Sequence, residues 1–316
     1  MKIGILGTAD IAFRRFLPAL QKCPEITYAG VASRTSEKTE RFTAAYGGIG
    51  YPSYEALLAD ESIDAVYVPL PPALHFEWGK KVLESGKHLF MEKPFTTNAE
   101  DTKTLLLLAE EKGLAVHENY MFLYHSQLQK IKELIVDGTL GELRLMRMSF
   151  GFPKRGDNDF RYKRELGGGA LLDCGGYPIR LALELLGDTV QVTQAKLVQP
   201  EGYEVDLYGS AVLENESGLC AQVSFGMDNA YQCQLEIWGS KATLIAPRIF
   251  TAGANFEPKI VLKTSSDEEQ MKLDADDQFL HSTVQFVEKT TSMDRADEKK
   301  ILRQAELVTE IERTVE

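Results

Sequence analysis

Residues 88–100 read HLFMEKPFTTNAE. The apolar run His88, Leu89, Phe90, Met91 has the length of a buried strand, and Thr97, Asn98, Ala99, Glu100 match the Ser/Thr-x-x-Glu box that opens a helix. Strand, short loop and helix is the expected unit, with Lys93 at the strand's carboxyl end. In open parallel sheets ligands bind outside the carboxyl ends of the strands, so a lysine there faces whatever the sheet holds. Pro94 narrows the conformations of Lys93, and a cis bond between them would set the direction of the ammonium. Taken alone, a solvated lysine in a surface loop is the more ordinary reading, and the rest of the chain shifts it.

Working outward, the same pattern recurs toward the N-terminus. Residues 2–6 form a short apolar run that enters Gly7, Thr8, Ala9, Asp10, Ile11, Ala12, after which Phe13, Phe16, Leu17 and Leu20 recur at helical spacing. Against the dinucleotide fingerprint GxGxxG/A, Gly7 fills the first position, Ala9 the second and Ala12 the third. Ala9 is a departure, because the second glycine normally lets the backbone approach the pyrophosphate. The units that follow decide the matter: strands over 26–32, 65–68, 88–91 and 114–117 alternate with helices over 37–46, 73–84 and 98–112. That alternation calls for right-handed crossovers and a doubly wound parallel sheet of the Rossmann type over residues 1–120.

At the end of the second strand an NAD site would place an acidic residue for the ribose 2′-hydroxyl. This chain has Ser33, Arg34 and Thr35, with Lys38 one turn on. An arginine and hydroxyls suit a 2′-phosphate that a carboxylate would repel, so NADP(H) is the expected cofactor.

Beyond residue 120 the period changes. A helix over 127–136 precedes a strand-rich region, in which Leu219, Ala221, Val223, Phe225 and Met227 share one face of a strand, as do Tyr231, Cys233, Leu235 and Ile237. Segments 143–152, 205–213, 219–227 and 231–238, joined by short turns, give a large, mostly antiparallel open sheet in a second α/β domain over 121–316. Its uncovered face calls for a second subunit, hence a homodimer or homotetramer. Helices over 276–287 and 298–315 close the chain.

Composition bounds the partners. A net charge of −12 over 316 residues argues against nucleic acid, which needs a basic surface. Four scattered cysteines and five scattered histidines show neither a disulfide framework nor metal-ligand spacing, so no metal is expected. No apolar stretch has the length of a membrane span, and the expected location is the cytoplasm.

Residues 167–180 read GGGALLDCGGYPIR. Consecutive glycines admit unusual backbone angles or a close approach. On a helix, Asp173, Tyr177 and Arg180 share a face, and Pro178 restarts or kinks it beside the tyrosine. Moving a hydride to or from a carbonyl carbon needs a proton donor at oxygen and a cation to stabilise the developing charge, roles that suit Tyr177 and Lys93. A core tyrosine is the competing account.

Gly7 to Ala12, Glu92-Lys93-Pro94 and the glycine-run segment together resemble the glucose-fructose oxidoreductase / inositol dehydrogenase / MocA (Gfo/Idh/MocA) family along nearly the whole chain. The resemblance implies a Rossmann domain followed by an α/β domain whose open sheet serves oligomerisation. It also implies cofactor contacts at Gly7, Thr8, Ala9, Asp10, Ile11, Leu70, Pro71, His75, Glu92 and Lys93, and a catalytic acid/base in the glycine-run segment. Residues 71–75 are similar to the family's Pro-Asn-x-x-His loop, with Pro72 in place of asparagine. Tyr177, where many members carry histidine, is similar to the tyrosine-bearing branch. ENYMFLYHSQ (118–127), DFRYKRELGGGALLD (159–173), GYPIR (176–180) and DDQF (276–279) resemble the nucleotide-hexose 3-ketoreductases. That narrower likeness implies substrate contacts at Asn119, Arg161, Asp173 and Tyr177.

One feature supports it independently. In an acidic chain, residues 153–166 carry Lys154, Arg155, Arg161, Lys163 and Arg164 against three acids, an excess able to receive a diphosphate or simply to face solvent. The expectation is an NADPH-dependent ketoreductase of a nucleotide-linked sugar, with Tyr177 as proton donor, Lys93 polarising the carbonyl and Asp173 holding substrate or positioning Lys93. An NADP-dependent dehydrogenase of a free sugar, cyclitol or dihydrodiol is the alternative. A cofactor-sensing regulator without chemistry is a third possibility, which intact Lys93 and Tyr177 oppose.

Overall fold

The computed structural model describes residues 1–315, which form two compact units. The first comprises Met1–Asn119 and Phe279–Ala305; the second comprises Tyr120–Gln278 and the chain from Glu306 onward. Dividing the sequence at 120 did not foresee the return of Phe279–Ala305 to the first unit.

Six parallel strands build the first unit: β1 (Lys2–Leu6), β2 (Thr27–Ala32), β3 (Ile49–Tyr51), β4 (Ala65–Val68), β5 (His88–Met91) and β6 (Val116–Glu118). They lie in the order β3-β2-β1-β4-β5-β6. Successive side chains of a strand point to opposite faces, and here both faces are covered. Ile3, Ile5, Tyr67 and Phe90 pack with Phe16, Phe42 and Phe286 on one side. Val66, Val68, Leu89 and Met91 pack with Trp78, Leu105 and Ile301 on the other. Burial on both faces is why these strands read as unbroken apolar runs. The strand order reverses between β1 and β4, so the turn after Leu6 and the loop after Val68 flank the crevice where such sheets bind ligands.

The helix after β5 runs Ala99–Glu111 and starts at a different cap from the one the Thr97 box predicts. Asn98 is the N-cap: its Oδ1 accepts from the Asp101 backbone N–H at 2.9 Å, and its Nδ2 donates to Asp101 Oδ2 at 2.7 Å. Asparagine caps at least as well as threonine, and Asp101 rather than Glu100 answers it.

Eight strands form the sheet of the second unit: β7 (Leu143–Gly151), β8 (Gln191–Val198), β9 (Tyr208–Glu214), β10 (Cys220–Gly226), β11 (Gln232–Gly239), β12 (Thr243–Ala246), β13 (Lys259–Lys263) and β14 (Glu268–Lys272). Their order is β14-β13-β12-β11-β7-β10-β9-β8, antiparallel except where β7 meets β10. Ala221, Val223, Phe225 and Met227 are buried, as are Cys233, Leu235 and Ile237, while Gln222, Ser224 and Trp238 on the opposite face are exposed. The strand expected over 205–213 begins three residues later, because Val205–Leu207 run ahead of it: the Asp206 carbonyl accepts from Ala170 N, and Leu207 N donates to Val198 O. β14, with the sequence EEQMK, carries no alternating apolar signal and lies at the sheet's edge. Among the described residues no helix is long and apolar enough to cross a membrane.

Candidate active site

In the first unit the site is assembled at the carboxyl ends of β1, β2, β4 and β5. Gly7 has φ 93°, a backbone conformation side chains resist, and its N–H donates to Ala32 O at 2.9 Å. A Cβ added there would stand 2.7 Å from Leu70 Cδ2, so glycine lets the two loops that flank the crevice close on one another. Thr8, Ala9 and Ile11 are half-buried in the turn, and Asp10, exposed, pairs with Arg41 at 3.2 Å. After β2, Ser33 is buried and its Oγ accepts from Thr35 N at 3.3 Å. Arg34, Thr35 and Lys38 are exposed, and neither Arg34 nor Lys38 pairs with a carboxylate among the described residues.

The loop carrying Lys93 is held at each of its other residues. Glu92 N donates to Val68 O at 3.2 Å, Phe95 N donates to Glu118 Oε1 at 2.7 Å, and Pro94 O lies 2.7 Å from His75 Nδ1. The Lys93–Pro94 peptide is cis. Glu92 Oε1 accepts from Tyr67 Oη at 2.5 Å and from Asn119 Nδ2 at 2.6 Å. Burial pushes the Glu92 carboxyl up, against those two donors and the neighbouring Lys93 charge. The network continues inward, as Ser282 Oγ donates to Asn119 Oδ1 at 2.8 Å and lies 2.8 Å from His117 Nε2. Ser282 has one proton and gives it to Asn119, so His117 carries its proton on Nε2.

Two residues assigned to ligand contacts from the sequence are therefore placed otherwise. Asn119, expected to meet substrate, is fully buried, and its amide bonds Glu92 through Nδ2 and Ser282 through Oδ1. His75 is fully buried between Pro94 O and Leu70 O, at 2.7 and 2.8 Å, and ties the loop after β4 to the loop after β5. Burial pushes its pKa down to about 4, with the Lys93 charge adding to the effect, so the ring is neutral at pH 7 and donates to one of the two carbonyls. Leu70 and Pro71 line the same loop.

In the second unit the glycine run turns the chain into the helix that bears the candidate acid. A Cβ on Gly168 would stand 2.4 Å from Arg161 O, and Gly169, at φ 120°, lies against Asp206. The Asp206 carboxylate accepts from Leu171 N at 2.8 Å and so caps the segment. Leu171–Gly175 is a π-helical turn that leads into the α-helix Gly176–Leu186, with Tyr177 and Pro178 in its first turn. The wide turn restarts the helical register just before Pro178, which accounts for a proline without a break. Tyr177 is 6% exposed. Its ring lies 5.3 Å from that of Tyr120, 4.7 Å from Phe150, 5.9 Å from Phe122 and 5.8 Å from Phe250. Four aromatic rings wall the tyrosine in.

Asp173, also buried, takes Arg161 Nε on its Oδ2 at 2.7 Å. Arg161 Nη1 further contacts Asp159 Oδ1 at 3.1 Å. Burial works against the guanidinium's charge, but the two carboxylates more than offset it and hold its pKa above the ordinary value. Lys154 pairs with Asp157 at 2.9 Å and Lys163 with Glu204 at 3.5 Å. The cation-rich segment is thus largely neutralised from within, and Arg161 is not the open anion grip its sequence context implied. Among the described residues no cluster of His, Cys, Asp or Glu could hold a metal ion.

The first unit thus carries a lysine on the carboxyl edge of a doubly wound sheet, and the second carries a tyrosine boxed by aromatic rings. Residues 1–120 match the oxidoreductase family with an NAD-binding Rossmann fold, and residues 128–245 match the Gfo/Idh/MocA C-terminal domain. The chain belongs to the Gfo/Idh/MocA oxidoreductase family. Within that family it is 40% identical over 310 residues to a dTDP-3,4-didehydro-2,6-dideoxy-α-D-glucose 3-reductase of Actinomadura kijaniata, covering 98% of this chain and 93% of the relative. It is 35% identical to a D-xylose 1-dehydrogenase (NADP(+)) of Haloferax volcanii, over 72% of this chain and 70% of that one. The crystal structure of a 3-ketoreductase from Actinomadura kijaniata with NADP and TDP-benzene superposes with a TM-score of 0.97 at 39% identity, covering 100% of this chain and 98% of that one.

Sequence reading missed Tyr67, Ser282, Asp206 and the aromatic walls. Tyr67 had a visible signal, a hydroxyl inside the buried strand AVYV. The others had none, because their partners stand tens to hundreds of residues away.

Proposed function

We propose that this chain is an NADP(H)-dependent ketoreductase acting on a keto group, at position 3, of a nucleotide-linked sugar. Gly7 and the loop through Leu70 and Pro71 would receive the dinucleotide, with Arg34, Ser33, Thr35 and Lys38 at its 2′-phosphate. The residues fit that group: among the described residues Arg34 is an exposed cation without a carboxylate partner, and Ser33, Arg34 and Thr35 stand at the end of β2 where an NAD site places an acid. When bound, NADPH supplies the hydride. Lys93 draws charge onto the substrate oxygen as it develops, and Tyr177 donates the proton that completes the alcohol. Asp173, charge-compensated by Arg161, orders the turn before Tyr177 and holds sugar hydroxyls. The 40% identity to a dTDP-sugar 3-reductase over 98% of the chain carries this assignment.

The test is NADPH consumption, followed at 340 nm, with a dTDP-linked 3-keto sugar. Turnover with that substrate and none with free pentose supports the assignment. NADP⁺ reduction by free D-xylose without activity on the nucleotide sugar favours the dehydrogenase alternative, which the likeness to the Haloferax enzyme supports.

A further inference from the structure

Building on the nucleotide-sugar assignment above, we propose that Arg248 grips the diphosphate of the substrate. Of the five cations in residues 153–166, Lys154, Arg161 and Lys163 are paired with carboxylates, and Arg161 sits between two of them. An incoming diphosphate would meet net negative charge at Arg161. Arg248 is different. It pairs with no carboxylate among the described residues, and its one side-chain hydrogen bond runs from Nε to Thr251 O at 3.4 Å. Both Nη amino groups keep their donors for a ligand, in the fork geometry that matches phosphate oxygens.

The guanidinium is also pre-positioned. Its carbon lies 5.1 Å from the Tyr231 ring centroid and 5.3 Å from that of Phe256, two aromatic residues that are otherwise exposed. Tyr231 is held in turn by a hydrogen bond between its hydroxyl and Thr251 Oγ1. The backbone beneath is fixed by the buried Gln127, whose Nε2 donates to Arg248 O at 3.2 Å and to Ile249 O at 3.3 Å. The same loop delivers Phe250, whose ring is a wall of the Tyr177 box at 5.8 Å. A clamped cation two residues from that wall is suited to hold the charged end of a substrate whose sugar lies at Tyr177. Arg155, another arginine with a ring contact and no carboxylate partner among the described residues, stacks on Phe152 at 5.0 Å but is exposed and lacks such a clamp.

The experiment is calorimetric titration of dTDP, and separately thymidine, into full-length protein saturated with NADP⁺. Arg248→Ala is expected to weaken dTDP on the order of 10- to 100-fold while leaving thymidine unchanged, since thymidine has no diphosphate. Arg248→Lys should fall between, and Arg155→Ala should stay within about twofold of wild type. Arg248→Gln, which retains the stem's packing, replaces the alanine variant if the latter does not fold. Wild-type protein that binds dTDP, with Arg248 variants that bind it equally well, overturns the role of Arg248 alone. Wild-type protein that binds no dTDP overturns the nucleotide-sugar assignment and this inference with it.

Discussion

Arg161, half-buried, and Asp173, buried, form an ion pair, Nε to Oδ2 at 2.7 Å, that joins the cation-rich segment to the turn preceding Tyr177. Removing one partner strands the other charge in a poor solvent. Arg161→Met should cost roughly 2–3 kcal/mol in urea denaturation, less than a fully buried pair because the arginine is 20% exposed. In a double-mutant cycle with Asp173→Asn the two losses should fall short of additivity by about 1 kcal/mol or more. Strict additivity would mean that the pair contributes no coupling.

Tyr177→Phe removes a hydroxyl from a ring whose four aromatic neighbours remain in place. The variant should keep its melting temperature and its NADPH affinity, and lose about 10²- to 10⁴-fold in kcat. Stopped-flow turnover at wild-type rate would transfer the proton donation to another group.

We expect Arg34 to discriminate between the two nicotinamide dinucleotides. Arg34→Ala should raise KM for NADPH about tenfold or more and leave KM for NADH near its starting value, since only the 2′-phosphate meets the guanidinium. Equal shifts for both cofactors would place Arg34 outside the phosphate site.

The buried His75 and the half-buried Asp206 give stability opposite slopes with pH. His75 has its pKa pushed down to about 4 by burial, so between pH 4 and 6.5 the unfolded chain binds more protons there and stability rises with pH. Asp206 has its pKa pushed up to about 6 by burial, partly opposed by the N–H groups it accepts from. Over pH 4 to 6 the folded chain binds the extra proton, so this contribution is lost as pH rises. Relative to wild type, His75→Asn should therefore lose ground between pH 4.5 and 7, and Asp206→Asn should gain. Denaturation midpoints at the two pH values check both signs, and parallel profiles would refute them.

The exposed face of the eight-stranded sheet carries Trp238 with the Arg147 guanidinium 4.4 Å from its ring, and Tyr208 at 44% exposure. We expect this face to pack against a second copy, giving a dimer or tetramer by light scattering at micromolar concentration. Trp238→Glu and Arg147→Glu together should shift the mass to that of one chain. A wild-type monomer under those conditions removes the role of the sheet in assembly.

Much of this molecule was legible in its sequence. Strands buried on both faces, such as residues 65–68 and 88–91, are continuous apolar runs, and their alternation with amphipathic helices prescribes a doubly wound sheet. Lys93 could be placed at a strand's carboxyl end because that position depends only on chain order. β14 escaped notice because an edge strand with polar side chains has no alternation to read.

Which polar groups meet was settled only by the tertiary structure. Asn119 was read as a substrate contact, yet folding commits its amide to Glu92 and to Ser282, 27 and 163 residues away. Arg161 was read as open to a diphosphate, yet Asp159 and Asp173 close on it. Arg248, unremarkable in sequence, became the clamped cation because Tyr231 and Phe256 converge on it. Local preferences of the backbone and the period of apolar residues act over a few positions, so they are written along the chain. The pairing of charges and amides is enforced by desolvation, which acts only once distant segments have packed together.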